Sequence, residues 1–175
     1  MLEIKPNYLN PPPLGFTLIE LLLTLAITAA LLTLGLPNFQ RLLARNEATS
    51  LANHFLVSIH YARSEAIKQN LNVQMCSSEN QRHCSDHNDW AKGWIIFLDP
   101  TGNGQLTDPS LILRSQGAQA SDISLIGPTH FRYTTAGYLS PSNHLSVKLT
   151  VGQQNIQRWI CLTAIGKATV KQQAC

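Results

Sequence analysis

The chain has 175 residues, 44% of them hydrophobic and 13% charged, with a net charge of +3. Setting aside residues 1–15 and the membrane-length apolar run that follows them leaves about 130 to 140 residues, room for one domain with its own core and not for two. No G-x-S-x-G, H-E-x-x-H or Walker-type loop is present, and the six histidines have no Ser, Cys or Asp partner at a catalytic spacing. The sequence therefore carries no enzymatic signature and implies no cofactor.

Residues 1–15 contain one lysine, one glutamate and Pro11-Pro12-Pro13, so the segment has no net charge. From Phe16 to Leu36 only Glu20 is charged, and only Thr17, Thr24, Thr28 and Thr33 are otherwise polar. Such a run is long enough to span a bilayer as a helix. A carboxylate near its start is costly in hydrocarbon and marks a function, with an amine as the natural partner. No small-x-small site follows the run, which argues against a cleaved secretory signal peptide.

Gly15-Phe16-Thr17-Leu18-Ile19-Glu20-Leu21 resembles the prepilin processing motif of type IV pilins and type II secretion pseudopilins. The resemblance implies that Gly15 is the last leader residue before a prepilin peptidase cut. Phe16 becomes the N-methylated N-terminus, and Glu20 pairs with the N-terminal amine of a neighbouring subunit during assembly. It also implies an inner-membrane protein with a single span and a periplasmic domain, later carried into a pilus or pseudopilus. With a neutral leader, and with Arg41 and Arg45 beyond the span, orientation rests on this motif and not on flanking charge.

Beyond the span Ala48, Ala52, Phe55, Ile59, Ala62 and Ala66 recur at steps of three and four, one apolar stripe down an amphipathic helix. Pro37 removes a backbone donor between the two halves, which predicts a kink and not a break. From Asn72 onward the pattern becomes short strands bounded by Gly, Pro, Asn or Ser: 72–76, 93–99, 111–115, 123–126, 130–134, 145–151 and 156–163. The expected fold is α+β, type IV pilin-like, with a long kinked N-terminal helix packed on an antiparallel β-sheet. The expected divisions are a leader (1–15), a transmembrane or filament-core helix (16–36), its amphipathic continuation (37–70) and a β-rich globular domain (71–175).

Ala62-Arg63-Ser64-Glu65-Ala66-Ile67, Trp90-x-x-Gly93-Trp94-Ile95-Ile96-Phe97-x-Asp99 and Gly102-Asn103-Gly104 are similar to the GspH/FimT family of minor pilins and pseudopilins, as are the later Phe131, Tyr133, Gly137 and Gly166. Arg63 and Glu65 are two apart on the helix and do not face each other, so a solvated face is expected for them.

Four cysteines lie beyond the span, an even count that in an exported domain argues for disulfides. Of the three pairings, Cys76 with Cys84 and Cys161 with Cys175 close the short loops. Zinc on Cys76, His83, Cys84 and His87 is the rival, though adjacent His83 and Cys84 do not follow usual ligand spacings. Asp99, Thr101, Asn103, Gly104 and Asp108 resemble the start of a calcium loop, but Ser110 stands where the bidentate carboxylate is needed, so a hairpin turning at Asn103-Gly104 is expected. Trp90, Trp94 and Trp159 read as core or strand-face aromatics.

Charge is unevenly distributed. Residues 1–109 hold 7 Lys+Arg against 9 Asp+Glu, whereas residues 110–175 hold 6 against Asp122 alone. That is the balance of a polyanion binder, or of a chain kept soluble by scattered lysines. Competence-linked members of the family carry a C-terminal Gly-Arg-x-Arg pattern. Gly166 and Lys167 match its first two positions with lysine for arginine, Thr169 stands where the second arginine would be, and Lys171 follows on the same side of an extended chain. The expected function is that of a FimT-like minor type IV pilin binding DNA non-specifically, through Lys167 and Lys171 with Arg158, Lys148 and Arg132 flanking, for uptake in natural transformation. The alternative is a GspH-like minor pseudopilin with a structural role in type II secretion. Partners in either case are other pilins or pseudopilins, the prepilin peptidase and the inner membrane.

Overall fold

A computed structural model describes residues 15–141, 144–152 and 155–175. Two compact units divide the chain, residues 1–40 and 41–175. The leader expected over residues 1–14 lies outside the described residues.

Helix α1 (Leu18–Gln69) passes through Pro37 without ending there. Thr17 caps its start, the hydroxyl accepting from the Glu20 amide at 3.3 Å. Asn70, at φ +52°, takes the left-handed conformation that stops it. In the first unit the apolar residues of α1 lie open: Leu18 is 76% exposed and Leu31 66%. Their threonines return hydroxyl protons to the helix carbonyls, Thr24 to Leu21 and Thr28 to Thr24, which removes the polar cost of placing them in hydrocarbon. Length and composition suit this stretch to crossing a membrane.

The second unit carries the core. Ala48, Ala52, Phe55, Ile59, Ala62 and Ala66 are all buried, as their spacing predicts. Among the described residues nine strands follow α1: β1 (Val73–Ser77), β2 (Trp94–Leu98), β3 (Ile112–Gln116), β4 (Ile123–Ile126), β5 (His130–Tyr133), β6 (Leu139–Ser140), β7 (Leu145–Val151), β8 (Ile156–Leu162) and β9 (Ala168–Lys171). They form two antiparallel sheets, one ordered β3-β2-β1-β5-β6 and the other β4-β7-β8-β9. Both contribute to one core with the α1 stripe: Val73, Met75, Ile96 and Phe131 from the first, Val147, Leu149, Ile160 and Leu162 from the second. Phe55 stands edge-on to Trp90 at 5.4 Å and to Trp94 at 5.1 Å. Edge-to-face pairs of this kind add about 1 kcal/mol each beyond burial. A satellite cluster of Cys76, Ile95 and Phe97, with Leu106 and Ile112, covers the other face of the first sheet.

Arg63 does not lie on a solvated face. Its Nε donates to the Gly137 carbonyl at 3.0 Å and its Nη2 to the Ile165 carbonyl at 3.0 Å, so one guanidinium ties α1 to turns in both sheets. Two hydrogen bonds from a charged donor in a half-buried site are together worth about 2 kcal/mol. Arg63→Ala is expected to lower the urea midpoint accordingly, and Arg63→Lys, with no planar fork, to recover less than half.

Burial pushes the Tyr133 phenol up to about 12. Its native value lies above the unfolded value near 10, so its contribution to stability is complete below about pH 10 and is lost as pH rises toward about 12. An alkaline unfolding titration is expected to show this loss, and Tyr133→Phe to remove it.

Candidate functional site

At the N-terminal end of α1 a Cβ built on Gly15 would meet nothing within 4 Å among the described residues. Phe16 is 84% exposed. Glu20 stands in the first turn of α1, where the helix dipole favours a carboxylate, and its side chain is exposed.

At the C-terminal end β8 and β9 form a hairpin through the turn at Thr163 to Lys167, closed by Gly166 N donating to the Thr163 carbonyl at 2.8 Å. Pairing fixes the facing. Val147, Leu149, Ile160, Leu162 and Ala168 point to the core, so the alternate residues point outward. Lys148 pairs with Trp159 and Trp159 with Lys171, which sets the three side by side in one outward row. Lys167, opposite Thr163, and Thr169, opposite Cys161, are on the same face. The outward residues of these three strands include no carboxylate: Ser146, Thr150, Gln157 and Thr169 are uncharged. The Cys161–Cys175 disulfide brings the tail back over this face.

Two residues expected to flank this face do not. Arg158 has the opposite parity to Trp159 and pairs with buried Leu149; its Nη2 donates to Thr49 Oγ1 on α1 at 3.4 Å. Arg132 lies in the other sheet, on β5. Its Nη1 donates to the Gly102 carbonyl, its Nη2 to Ser140 Oγ at 3.2 Å, and Asp99 Oδ2 lies 3.6 Å from Nη1. It braces a loop and has no approach to the hairpin.

Gly166, read from sequence as the opening of a DNA pattern, also has a structural reason to be glycine. Its φ is +79°, and a Cβ there would lie 2.1 Å from the Gly137 carbonyl oxygen. No side chain fits.

The remaining constellations are structural. Cys76 is bonded to Cys84, so neither sulfur is a thiolate ligand, and the described residues contain no His, Cys, Asp or Glu group arranged for a metal. Asp99 is buried and accepts from the Gly104 amide at 2.9 Å, holding the loop from β2 to β3. That connection joins antiparallel neighbours, and Gly102 and Gly104 take the left-handed conformation, not Asn103. Glu79 Oε1 lies 2.9 Å from Lys92 Nζ. The Lys92 ammonium holds the Glu79 carboxyl below its usual range, and Glu79 holds Lys92 above its own. Trp90 and Trp94 are fully buried, whereas Trp159 is half-buried on the outward row.

The family model described as type II transport protein GspH matches residues 51–166, which runs from within the α1 stripe through β1 to β8 and ends at Gly166, before β9. The chain belongs to the GspH family. The GspH-family chain is similar in fold to the type IV minor pilin FimU of Pseudomonas aeruginosa. One crystal form of FimU shares 22% identity, with a TM-score of 0.57 over 73% of this chain and 90% of FimU. A second crystal form shares 19% identity, with a TM-score of 0.54 over 70% and 91%. No curated protein sequence matches significantly. The GspH-family chain has a long N-terminal helix followed by antiparallel sheets, an α+β fold like that of the minor pilin FimU.

Proposed function

We propose that this chain is a minor type IV pilin that presents the face of its C-terminal hairpin to DNA during natural transformation. The prepilin peptidase cuts between Gly15 and Phe16, the new N-terminus is methylated, and Glu20 meets the amine of a neighbouring subunit. The protein starts in the inner membrane with residues 16–36 as its span, and the filament carries it outward. The observation that carries the DNA reading is the placement of Lys148, Lys167 and Lys171 on one outward face, where the side chains of β7, β8 and β9 include no carboxylate.

Three ammonium groups contact phosphates as point charges, so binding is indifferent to sequence. If two or three phosphates of a duplex are neutralised, the log-log salt slope is about −2 to −3. Lys167→Gln with Lys171→Gln is expected to remove most duplex binding in a gel shift and to lower transformation. The thermal midpoint and both disulfides stay unchanged, because both side chains are exposed. A double variant that shifts DNA like the parent across a salt titration contradicts the reading.

The second reading is a minor pseudopilin of a type II secretion system, favoured by the description of the family model itself. It requires loss of secretion on deletion, with transformation intact.

A further inference from the structure

The three tryptophans differ in what they can touch. Trp90 and Trp94 are 0% exposed, packed around Phe55. Trp159 lies half-buried on the outward row, with Lys148 on one neighbouring strand and Lys171 on the other. Adjacent strands are about 4.8 Å apart, so the two lysine backbones stand about 10 Å from each other with the indole between them. The row continues past Lys148 to Ile126, which is 39% exposed. No carboxylate lies among the outward residues of these strands to neutralise the lysines.

The Lys148 ammonium is 5.7 Å from the Trp159 ring centroid. An exposed cation–π contact is weaker than the stacking of a nucleobase on an aromatic side chain. A base offered to the indole therefore displaces the ammonium, which is left free to pair with the phosphate beside that base. A duplex cannot make this exchange, because its bases remain in their own stack and only phosphates face the protein.

We propose that the row Lys148, Trp159, Lys171 is a binding site for single-stranded DNA, with a base stacked on Trp159 and the flanking phosphates on the two lysines. The proposal rests on the DNA reading above and goes beyond it by assigning strand preference to one side chain.

The burial of Trp90 and Trp94 supplies the test, since Trp159 is the tryptophan whose emission an added ligand can reach. The full chain in detergent is titrated with a thymidine oligonucleotide and, separately, with a duplex, following tryptophan fluorescence and gel shift together. The single strand is expected to quench the accessible emission to saturation. The duplex is expected to shift in the gel while leaving the emission unchanged. Trp159→Leu is expected to weaken single-strand binding about 5- to 100-fold and to leave duplex binding as it was, and Trp159→Phe to retain most of the single-strand affinity. If the single strand binds the parent without quenching, the stacking proposal is overturned. Duplex binding that still depends on Lys167 and Lys171 then leaves the DNA reading standing and assigns the indole to subunit packing. If neither nucleic acid binds the parent, the DNA reading falls and the stacking proposal with it.

Discussion

Gly166→Val is expected to abolish folding of the globular domain, and Gly166→Ala to cost a large part of its stability. A Cβ at this position would lie 2.1 Å from the Gly137 carbonyl oxygen and 3.0 Å from Tyr133 Cε1, and the nearest of these atoms is backbone. The turn therefore has to move as a whole. Moving it separates Ile165 from Arg63, whose Nη2 donates to that carbonyl at 3.0 Å, and disturbs the buried Tyr133 beneath. The left-handed φ of +79° adds about 1 kcal/mol for any residue with a Cβ. Together with the lost hydrogen bond and the steric displacement, a total above about 4 kcal/mol is expected, against a typical domain stability of about 5 to 15 kcal/mol. Near-ultraviolet circular dichroism and a thermal melt of the two variants check this. A Gly166→Ala protein that melts like the parent and loses only DNA binding contradicts it, and returns the glycine to a purely ligand-directed role.

The second large effect concerns the start of the mature chain. Gly15→Leu is expected to leave the leader attached and to hold the protein in the membrane fraction, since a bulky side chain fills the open space beside the Gly15–Phe16 bond. Glu20→Ala is expected to be cut normally and to fail in assembly. In an apolar run from Phe16 to Leu36 that carboxylate is the one charge, and desolvating it without a partner costs about 3 kcal/mol. In the proposed assembly an ammonium from a neighbouring subunit offsets that cost. Immunoblots of membrane and sheared-filament fractions separate the two defects. An uncut Glu20→Ala protein would show that Glu20 is needed by the peptidase and that the division of roles is wrong.

The parts of this molecule that were legible in the sequence are those set by local periodicity. The stripe from Ala48 to Ala66 shows its buried face by spacing alone, and the strands at 123–126 and 145–151 coincide with the patterned segments because apolar and polar residues alternate there. The expected strands at 72–76, 93–99, 111–115, 130–134 and 156–163 are present with ends shifted by one residue. Strands β6 and β9 are not among the patterned segments: β6 has two residues, and β9, Ala168–Lys171, reads as an extended segment whose place beside β8 shows only in the pairing. The division into two sheets was equally hidden, because strand order depends on pairing between distant segments and not on pattern.

The same limit governs the site. Lys148, Lys167 and Lys171 share a face, but the facing of Arg158 and Arg132 depends on register, and register places one against α1 and the other on Gly102. Arg63 was misread for a related reason. The rule that neighbours two apart do not meet concerns Glu65, whereas the partners of Arg63 are carbonyls 74 and 102 residues away. Trp159 carried a sequence signal only in hindsight of its cross-strand lysines, which no linear spacing reveals.

Mass spectrometry of the subunit recovered from sheared filaments tests the central claim most directly. The expected species begins at N-methylated Phe16 and carries Cys76–Cys84 and Cys161–Cys175 with no free thiol. A subunit in that fraction still bearing residues 1–15, or absent from filaments of cells that make it, would contradict the claim that this chain is a processed filament subunit.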